Sequence, residues 1–258
     1  MNSPADAVFV QLFTRDPLVH GTAMLQVLSR LNGLLPSDDT TLQRTVRACL
    51  EQPAEHREFL WSSAGGALQA AVNPIFYPSD SHSVISLEVP LHLVDADELV
   101  RFVRDMGERL DADFGYATVL TELGGVLPTM SLTQLDLRRW LPEEWHGLWL
   151  GGPYLDLIGA ERIRGAPAYT VERHGPRGFW LQLGPLTPAR SSAERQAEQD
   201  HREQVRDHLG PDLFWRPDRR VYRTPTFARP AGRPAEGTLT AHPAIRPGST
   251  RTTDPGMP

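Results

Sequence analysis

Trp140-Leu141-Pro142-Glu143-Glu144-Trp145-His146-Gly147-Leu148-Trp149-Leu150-Gly151-Gly152-Pro153-Tyr154 is the densest aromatic stretch of the chain. It holds three of the six tryptophans, and Tyr154 follows five residues after Trp149. Large aromatics bury more apolar area per residue than any other side chain, so this segment belongs to the centre of the core or anchors a partner surface. Pro142 followed by Glu143 and Glu144 predicts a helix start, with proline in the first turn and acids at the positive end of the dipole. Gly151-Gly152 is then expected to end that helix, and Pro153 to open a shorter one that stops at Gly159. On such a helix Trp145 and Trp149 are i, i+4 and share a face, while Trp140 points elsewhere.

Working outward, Ala7–Phe13 is a short apolar run expected as a buried strand. Thr22 could cap a helix carrying Met24, Val27, Leu28, Leu31 and Leu35. A second helix from Asp38 or Asp39 would place Leu42, Val46, Cys49 and Leu50 on one face. Phe59–Ser62 and Ala67–Val72 flank Ser63-Ala64-Gly65-Gly66 as a hairpin. Ser83–Leu91 alternates, with Ile85, Leu87, Val89 and Leu91 inward and Ser86 and Glu88 outward. Asp95 with Glu98 opens a helix to Leu110, whose apolar stripe is Leu99, Phe102, Val103, Met106 and Leu110. Phe114–Thr121 is the next strand. Ala168–Glu172 and Phe179–Leu183 bracket His174–Gly178 as a second hairpin, and Ser191–Leu209 is a polar helix ended by Gly210-Pro211.

This order predicts an α+β fold, an antiparallel sheet packed against helices in a single main domain. Residues 1–222 form that domain. Residues 223–258 are expected to be a disordered Pro/Arg-rich tail, since seven of the last 35 residues are proline and no apolar pattern remains.

Composition excludes several chemistries. The 258 residues carry 26 arginines, no lysine and a net charge of −6. Schiff-base lysines, a phosphate-loop lysine and a Ser–Lys dyad are therefore absent, and a broad nucleic-acid footprint is not expected. The single cysteine, Cys49, allows neither an intramolecular disulfide nor a cysteine-rich zinc site. It falls on an apolar stripe and reads as packing. No apolar run approaches the ~18–20 residues of a membrane helix, and Met1–Asp6 has no basic residue before the apolar run, so it does not read as a secretion signal. A cytoplasmic protein with no membrane partner is the expectation.

No catalytic motif assembles in the primary structure. Gly-x-Ser-x-Gly, His-Glu-x-x-His and Gly-x-Gly-x-x-Gly are all missing, and the glycine pairs at 65–66, 124–125 and 151–152 read as turns and helix ends. Glu88 and His92 lie about 13 Å apart on a strand, too far to share a metal. Glu198 and His201 have the i, i+3 spacing of carboxylate di-iron helices, with Glu194 and His208 nearby, but no second Glu-x-x-His helix exists and Glu198 is placed to pair with Arg202. No catalytic, cofactor or metal residue is assigned. Asp95–Asp113 carries seven acids (Asp95, Asp97, Glu98, Asp105, Glu108, Asp111 and Asp113) against three arginines. This is either a solvated face with Asp97–Arg101 and Asp105–Arg109 pairs or a surface that steers a basic partner.

From about Ser83 to Pro217 the chain resembles the immunity proteins of bacterial contact-dependent toxin systems. It is most similar to the type VI secretion immunity family, some of whose members are proposed to oppose VRR-type nuclease toxins. The residues that carry the resemblance are Phe114-Gly115-Tyr116-Ala117 and Trp149-Leu150-Gly151-Gly152-Pro153-Tyr154-Leu155 with Gly159. They continue with Leu181-Gln182-Leu183-Gly184-Pro185-Leu186 and Leu213-Phe214-Trp215-Arg216-Pro217. The resemblance implies a non-enzymatic protein that binds a cognate toxin in the cytoplasm and blocks it, without a cofactor. Asp95, Asp97, Glu98, Asp105, Glu108, Trp145 and Trp149 are the candidate partner-binding residues. The alternatives are an enzyme whose acid–base groups converge only in the fold, drawn from His20, His56, His82, His92, His146, His174, His201 and His208 with nearby carboxylates, or an interaction protein outside toxin biology. In the latter the tail prolines Pro225, Pro230, Pro234 and Pro243 lack Pro-x-x-Pro spacing.

Overall fold

A computed structural model describes residues 6–15, 18, 30, 44, 48–49, 51, 59–62, 69–73, 82–120 and 139–227, with the backbone path alone for 59–62 and 69–73. The strands are β1 (Ala7–Thr14), β2 (Phe59–Ser62), β3 (Gln69–Asn73), β4 (Ser83–Pro90), β5 (Phe114–Leu120), β6 (Gly147–Leu150), β7 (Thr170–His174) and β8 (Gly178–Gln182). They form one sheet in the order β2-β3-β4-β1-β5-β6-β8-β7, and every pairing is antiparallel. The helices are α1 (Ala96–Arg109), α2 (Gly152–Ile158), α3 (Ala160–Arg164) and α4 (Ser192–Leu209). The fold is α+β, as the element order implies. Arg30, Arg44, Ala48, Cys49 and Glu51 are helical; the remainder of the two helices expected before β2 lies outside the described residues.

Strands β1, β4, β5, β6 and β8 are largely buried on both faces, and period-2 alternation divides their side chains between two cores. Val8, Val10, Leu12, Ile85, Leu87, Val89, Ala117, Trp149 and Trp180 point to one face. There they meet Leu99, Phe102, Val103 and Met106 of α1, together with the buried Cys49. Phe13, Val84, Phe114, Tyr116, Leu148, Leu150, Phe179 and Leu181 point to the other face. That core is closed by Tyr154, Ile158, Ile163, Val205, Leu209 and Phe214.

The aromatic stretch departs from the helix its local signals predict. Residues 142–146 are irregular, and Gly147–Leu150 is a central strand between β5 and β8. Gly151 does not end a helix there; it sits at the N-cap of α2, with Pro153 in the first turn, and α2 ends at Gly159 as expected. The reason is tertiary. The Leu141 amide donates to the Leu213 carbonyl (2.7 Å), the Trp215 amide donates to the Leu141 carbonyl (2.9 Å), and the His146 amide donates to the Ala117 carbonyl (2.8 Å). Bonds on both sides hold the segment extended, and burial on two faces suits four consecutive buried residues to a central strand. Intrinsic helix propensity, worth at most about 0.7 kcal/mol per ordinary residue, loses to that. Trp145 and Trp149 consequently lie in different cores, not on one helix face.

Trp149 ties α1 to the sheet. Its indole N–H donates to the Ala112 carbonyl at 2.8 Å. A Cβ added at Gly107 of α1 would stand 2.5 Å from the ring, and one added at Gly178 of β8 would also meet it. Glycine is required at both positions so that helix, indole and strand can stack. Asp95 caps α1 by accepting from the Asp97 and Glu98 amides at 2.8 and 3.2 Å. α4 begins in a full capping box between Ser191 and Glu194.

The chain after η-turn Pro211–Leu213 crosses the second core as a strap. Tyr222 packs on Trp140, with ring centroids 5.5 Å apart, and Phe227 packs edge-on to His82 at 4.6 Å and to Tyr154 at 6.2 Å. Arg223 and Phe227, both assigned to the 223–258 tail on composition, thus make defined contacts, Arg223 with Asp212 and Phe227 with His82 and Tyr154; the tail from 228 lies outside the described residues.

Two outcomes follow. Gly107→Ala gains up to about 1 kcal/mol of helix propensity but forces the buried indole aside, which costs about 1–3 kcal/mol. A urea titration should therefore show net destabilisation, and a more stable variant would refute the packing argument. Ending the chain after Arg223 should lower the melting temperature by several degrees relative to ending it after Phe227, on a scale of about 2–4 °C per kcal/mol for a domain of this size.

Candidate functional site

Three polar arrangements emerge from the fold. The first is the outer face of α1. Asp95, Asp97, Glu98, Asp105, Glu108 and Asp111 are all exposed there, with Arg101 and Arg109 also exposed. The seventh acid of the sequence run is removed from it. Asp113 is buried, held by Arg15 through two contacts (Nε to Oδ2 2.6 Å, Nη2 to Oδ1 2.9 Å) and by His82 Nε2 at 3.1 Å. The internal pairings also differ from those expected. Arg101 donates to the Asp97 backbone carbonyl at 3.3 Å and lies 3.8 Å from Glu98, while Asp105 lies 3.6 Å from Arg30. Arg104 leaves the face altogether to pair with Glu172 and to donate to His174 Nε2 at 2.9 Å. Among the described residues, Asp97 and Glu108 have no cationic partner.

The second arrangement is an open cleft of about 560 Å³ beside the N-terminal half of α4, lined by His146, Pro185, Pro188, Arg190, Glu194, Glu198 and His201 among others. Its inner wall is a relay. His146 Nδ1 accepts from the Val119 amide at 3.1 Å and lies 3.3 Å from Thr118 Oγ1. Its Nε2 is 2.6 Å from Glu198 Oε1, which also takes Arg202 Nη2 at 2.5 Å. Arg202 Nε donates to the Trp145 carbonyl at 2.9 Å. Burial alone would raise the Glu198 carboxyl, but the hydrogen bonds and charges of His146 and Arg202 outweigh it and hold the group below its ordinary value.

Thr118, His146 and Glu198 are ordered like a hydroxyl–imidazole–carboxylate triad, yet the chemistry differs. The Nδ1 lone pair already accepts the Val119 N–H, so Nε2 carries the hydrogen and donates a hydrogen bond to the Glu198 carboxylate. An imidazole with both nitrogens engaged has no free lone pair for a substrate proton. Thr118 is also buried, at 1% exposure. The cluster works as a bracket that fastens α4 to β5 and β6.

The third arrangement is the buried Arg15–Asp113–His82 network. Beside it lies Tyr154, whose buried hydroxyl has no hydrogen-bond partner among the described residues. Burial, then the charge of Asp113, pushes the phenol well above its usual range.

The remaining sequence candidates scatter. Trp145 and Trp149 are 0% and 2% exposed, so neither reaches a partner in this structure; both serve the cores. Glu194 is occupied in the capping box, accepting from the Arg190 and Ser191 amides. His201 Nε2 lies 2.6 Å from the Pro167 carbonyl oxygen and His208 Nε2 2.8 Å from that of Arg162. Glu198 therefore does not join His201 at a metal, and among the described residues no group of three or more His, Cys, Asp or Glu could hold one. Cys49 is buried, as its stripe position implies. His146 pairs with a residue 52 positions away; only the Glu198–Arg202 half of that cluster has a local signal, the i, i+4 spacing. His20 and His56 lie outside the described residues. Among the described residues no helix is long and apolar enough to cross a membrane.

No family model matches the chain. No curated protein matches it either. Among solved structures it is similar to the Pseudomonas aeruginosa T6SS protein PA0821, with a TM-score of 0.49 and 14% identity over 78% of this chain and 76% of that one.

The Glu198 bracket has a pH signature. A carboxyl whose folded pKa is depressed contributes stability above its unfolded value, and that stability is lost as pH falls through the folded value. Glu198→Gln should cost about 1–2 kcal/mol at neutral pH. The gap between wild type and variant should close below about pH 4, near and under the ordinary glutamate value. Urea midpoints of the two proteins measured from pH 7 to 3 test this; a constant gap would remove the charge from the account.

Proposed function

We propose that this protein is a non-enzymatic immunity protein that binds a cognate bacterial toxin in the cytoplasm and neutralises it. The observation that carries the reading is the outer face of α1. Four exposed carboxylates on α1, with Asp95 at its N-cap and Asp111 just past its end, stand on a helix fixed to the sheet by the Trp149 stack, and Arg104, which could neutralise them, is drawn off to Glu172 and His174. A preorganised, predominantly acidic face, with Arg101 and Arg109 as its exposed cations, raises association rates with an oppositely charged partner and rejects others. A basic toxin, such as a nuclease with a cationic nucleic-acid surface, is the complementary partner, over an interface on the order of 1,600 Å² in total. The motif resemblance between Ser83 and Pro217 points to the same class of protein.

An enzyme is the second reading, favoured by the cleft beside His146. The engagement of both imidazole nitrogens argues against His146 as its base.

The test is affinity purification from the native cytoplasm in moderate salt, mass spectrometry of what is retained, and titration of the retained protein's activity. One partner inhibited at 1:1 stoichiometry is expected. Asp105→Arg with Glu108→Arg should slow association by about tenfold or more at low salt and flatten its salt dependence. Unchanged association kinetics would exclude α1 from the interface. A retained partner whose activity survives a stoichiometric excess would sink the immunity reading.

A further inference from the structure

We propose that the toxin completes its contact by adding an extended, basic segment to the outer edge of β7 as a ninth strand. This rests on the toxin-binding reading above and names the surface on which it acts. Among the described residues β7 is the last strand of the sheet order and pairs with β8 alone. In an antiparallel ladder alternate residues send their N–H and C=O groups away from the partner strand, which leaves a template on the open side. Among the described residues, no backbone group of Thr170–His174 is bonded outside the β8 ladder.

Folded proteins ordinarily blunt such an edge with proline, a bulge, or charges that project across it. β7 has no proline, and its register with β8 runs unbroken from Thr170↔Gln182 to His174↔Gly178. Its two charges are folded back. Glu172 is tied to Arg104 of α1, and Arg173 donates to the Pro176 carbonyl at 3.1 Å. At the head of the strand Tyr169 is 70% exposed, an aromatic of the kind that anchors interfaces.

Charge selects the occupant. Glu172 lies on the α1 side of the sheet, and Glu108 overhangs the hairpin turn, with its Oε1 3.1 Å from where a Cβ at Gly175 would sit. A strand added about 4.8 Å beyond β7 would direct alternate side chains towards these acids. Lysine or arginine at those positions meets Glu108, which has no cation of its own among the described residues. A second copy of this chain would bring a Glu172 already tied to its own Arg104 and an Arg173 folded onto its own Pro176 carbonyl, so neither would answer Glu108.

The probe is a peptide of about seven residues alternating lysine and valine, the length of an ordinary strand, with its glutamate–valine counterpart as control. Each is titrated into the full-length 15N-labelled chain at matched ionic strength. The lysine peptide should shift the amide resonances of 170–174 and slow their hydrogen exchange by about tenfold at saturation, and the glutamate peptide should not. Tyr169→Ser, at an exposed position that leaves the fold alone, should weaken the lysine peptide several-fold. Shifts confined to 95–109 would overturn the edge proposal while leaving the acidic-face reading intact. No shifts with either peptide would overturn it too, and titration of the purified toxin would still decide the function. Concentration-dependent changes at 170–174 without peptide, with dimer in sedimentation, would assign the edge to a second copy and overturn the toxin strand.

Discussion

The Trp149 ring, stacked between Gly107 of α1 and Gly178 of β8, fixes together with Leu99, Phe102, Val103 and Met106 how α1 sits on the sheet. Its indole N–H donates to the Ala112 carbonyl, in the short turn between α1 and β5. The apolar stripe of α1 then has one orientation, and the opposite stripe of carboxylates is presented to solvent as a rigid array. Binding to such an array requires little ordering of the protein, which is the chief saving a preorganised surface offers.

Burying both faces of the sheet has a second consequence. Charged groups that enter the layers are costly unless paired, and the chain pairs them through long-range contacts. Arg15 and His82 close on Asp113, and His146 joins β5 to α4 through Glu198 and Arg202. Breaking one partner of such a group leaves the other buried and uncompensated. These clusters look like chemistry by composition, with a histidine, a carboxylate and a hydroxyl within reach. Their hydrogen bonds, however, are directed at backbone and neighbouring elements, and that makes them fasteners.

Much of the fold was legible in the residues. Alternation in Ser83–Leu91, the Asp95-capped stripe of α1 and the polar run Ser191–Leu209 stopped by Gly210-Pro211 each declared their elements, because local spacing, capping and helix stops are properties of a few adjacent residues. Trp140–Tyr154 misled for the same reason. Pro142, Glu143 and Glu144 satisfy the local rules of a helix start, and nothing nearby reveals that Leu213, Trp215, Ala117 and two neighbouring strands will hold the segment extended.

The candidate surface divides in the same way. That α1 would be acidic and its carboxylates outward followed from charge and periodicity alone, since a helix with one apolar stripe must turn the other to water. Sequence also determined the α+β class, through the order of its periodic segments. Only the tertiary structure decided that Asp113 leaves the acidic face, that Trp145 and Trp149 part into separate cores, that His146 finds Glu198, and that β7 ends the sheet. Each of these depends on which distant segments become neighbours, a choice made by the packing of two cores at once and not by any short run of residues.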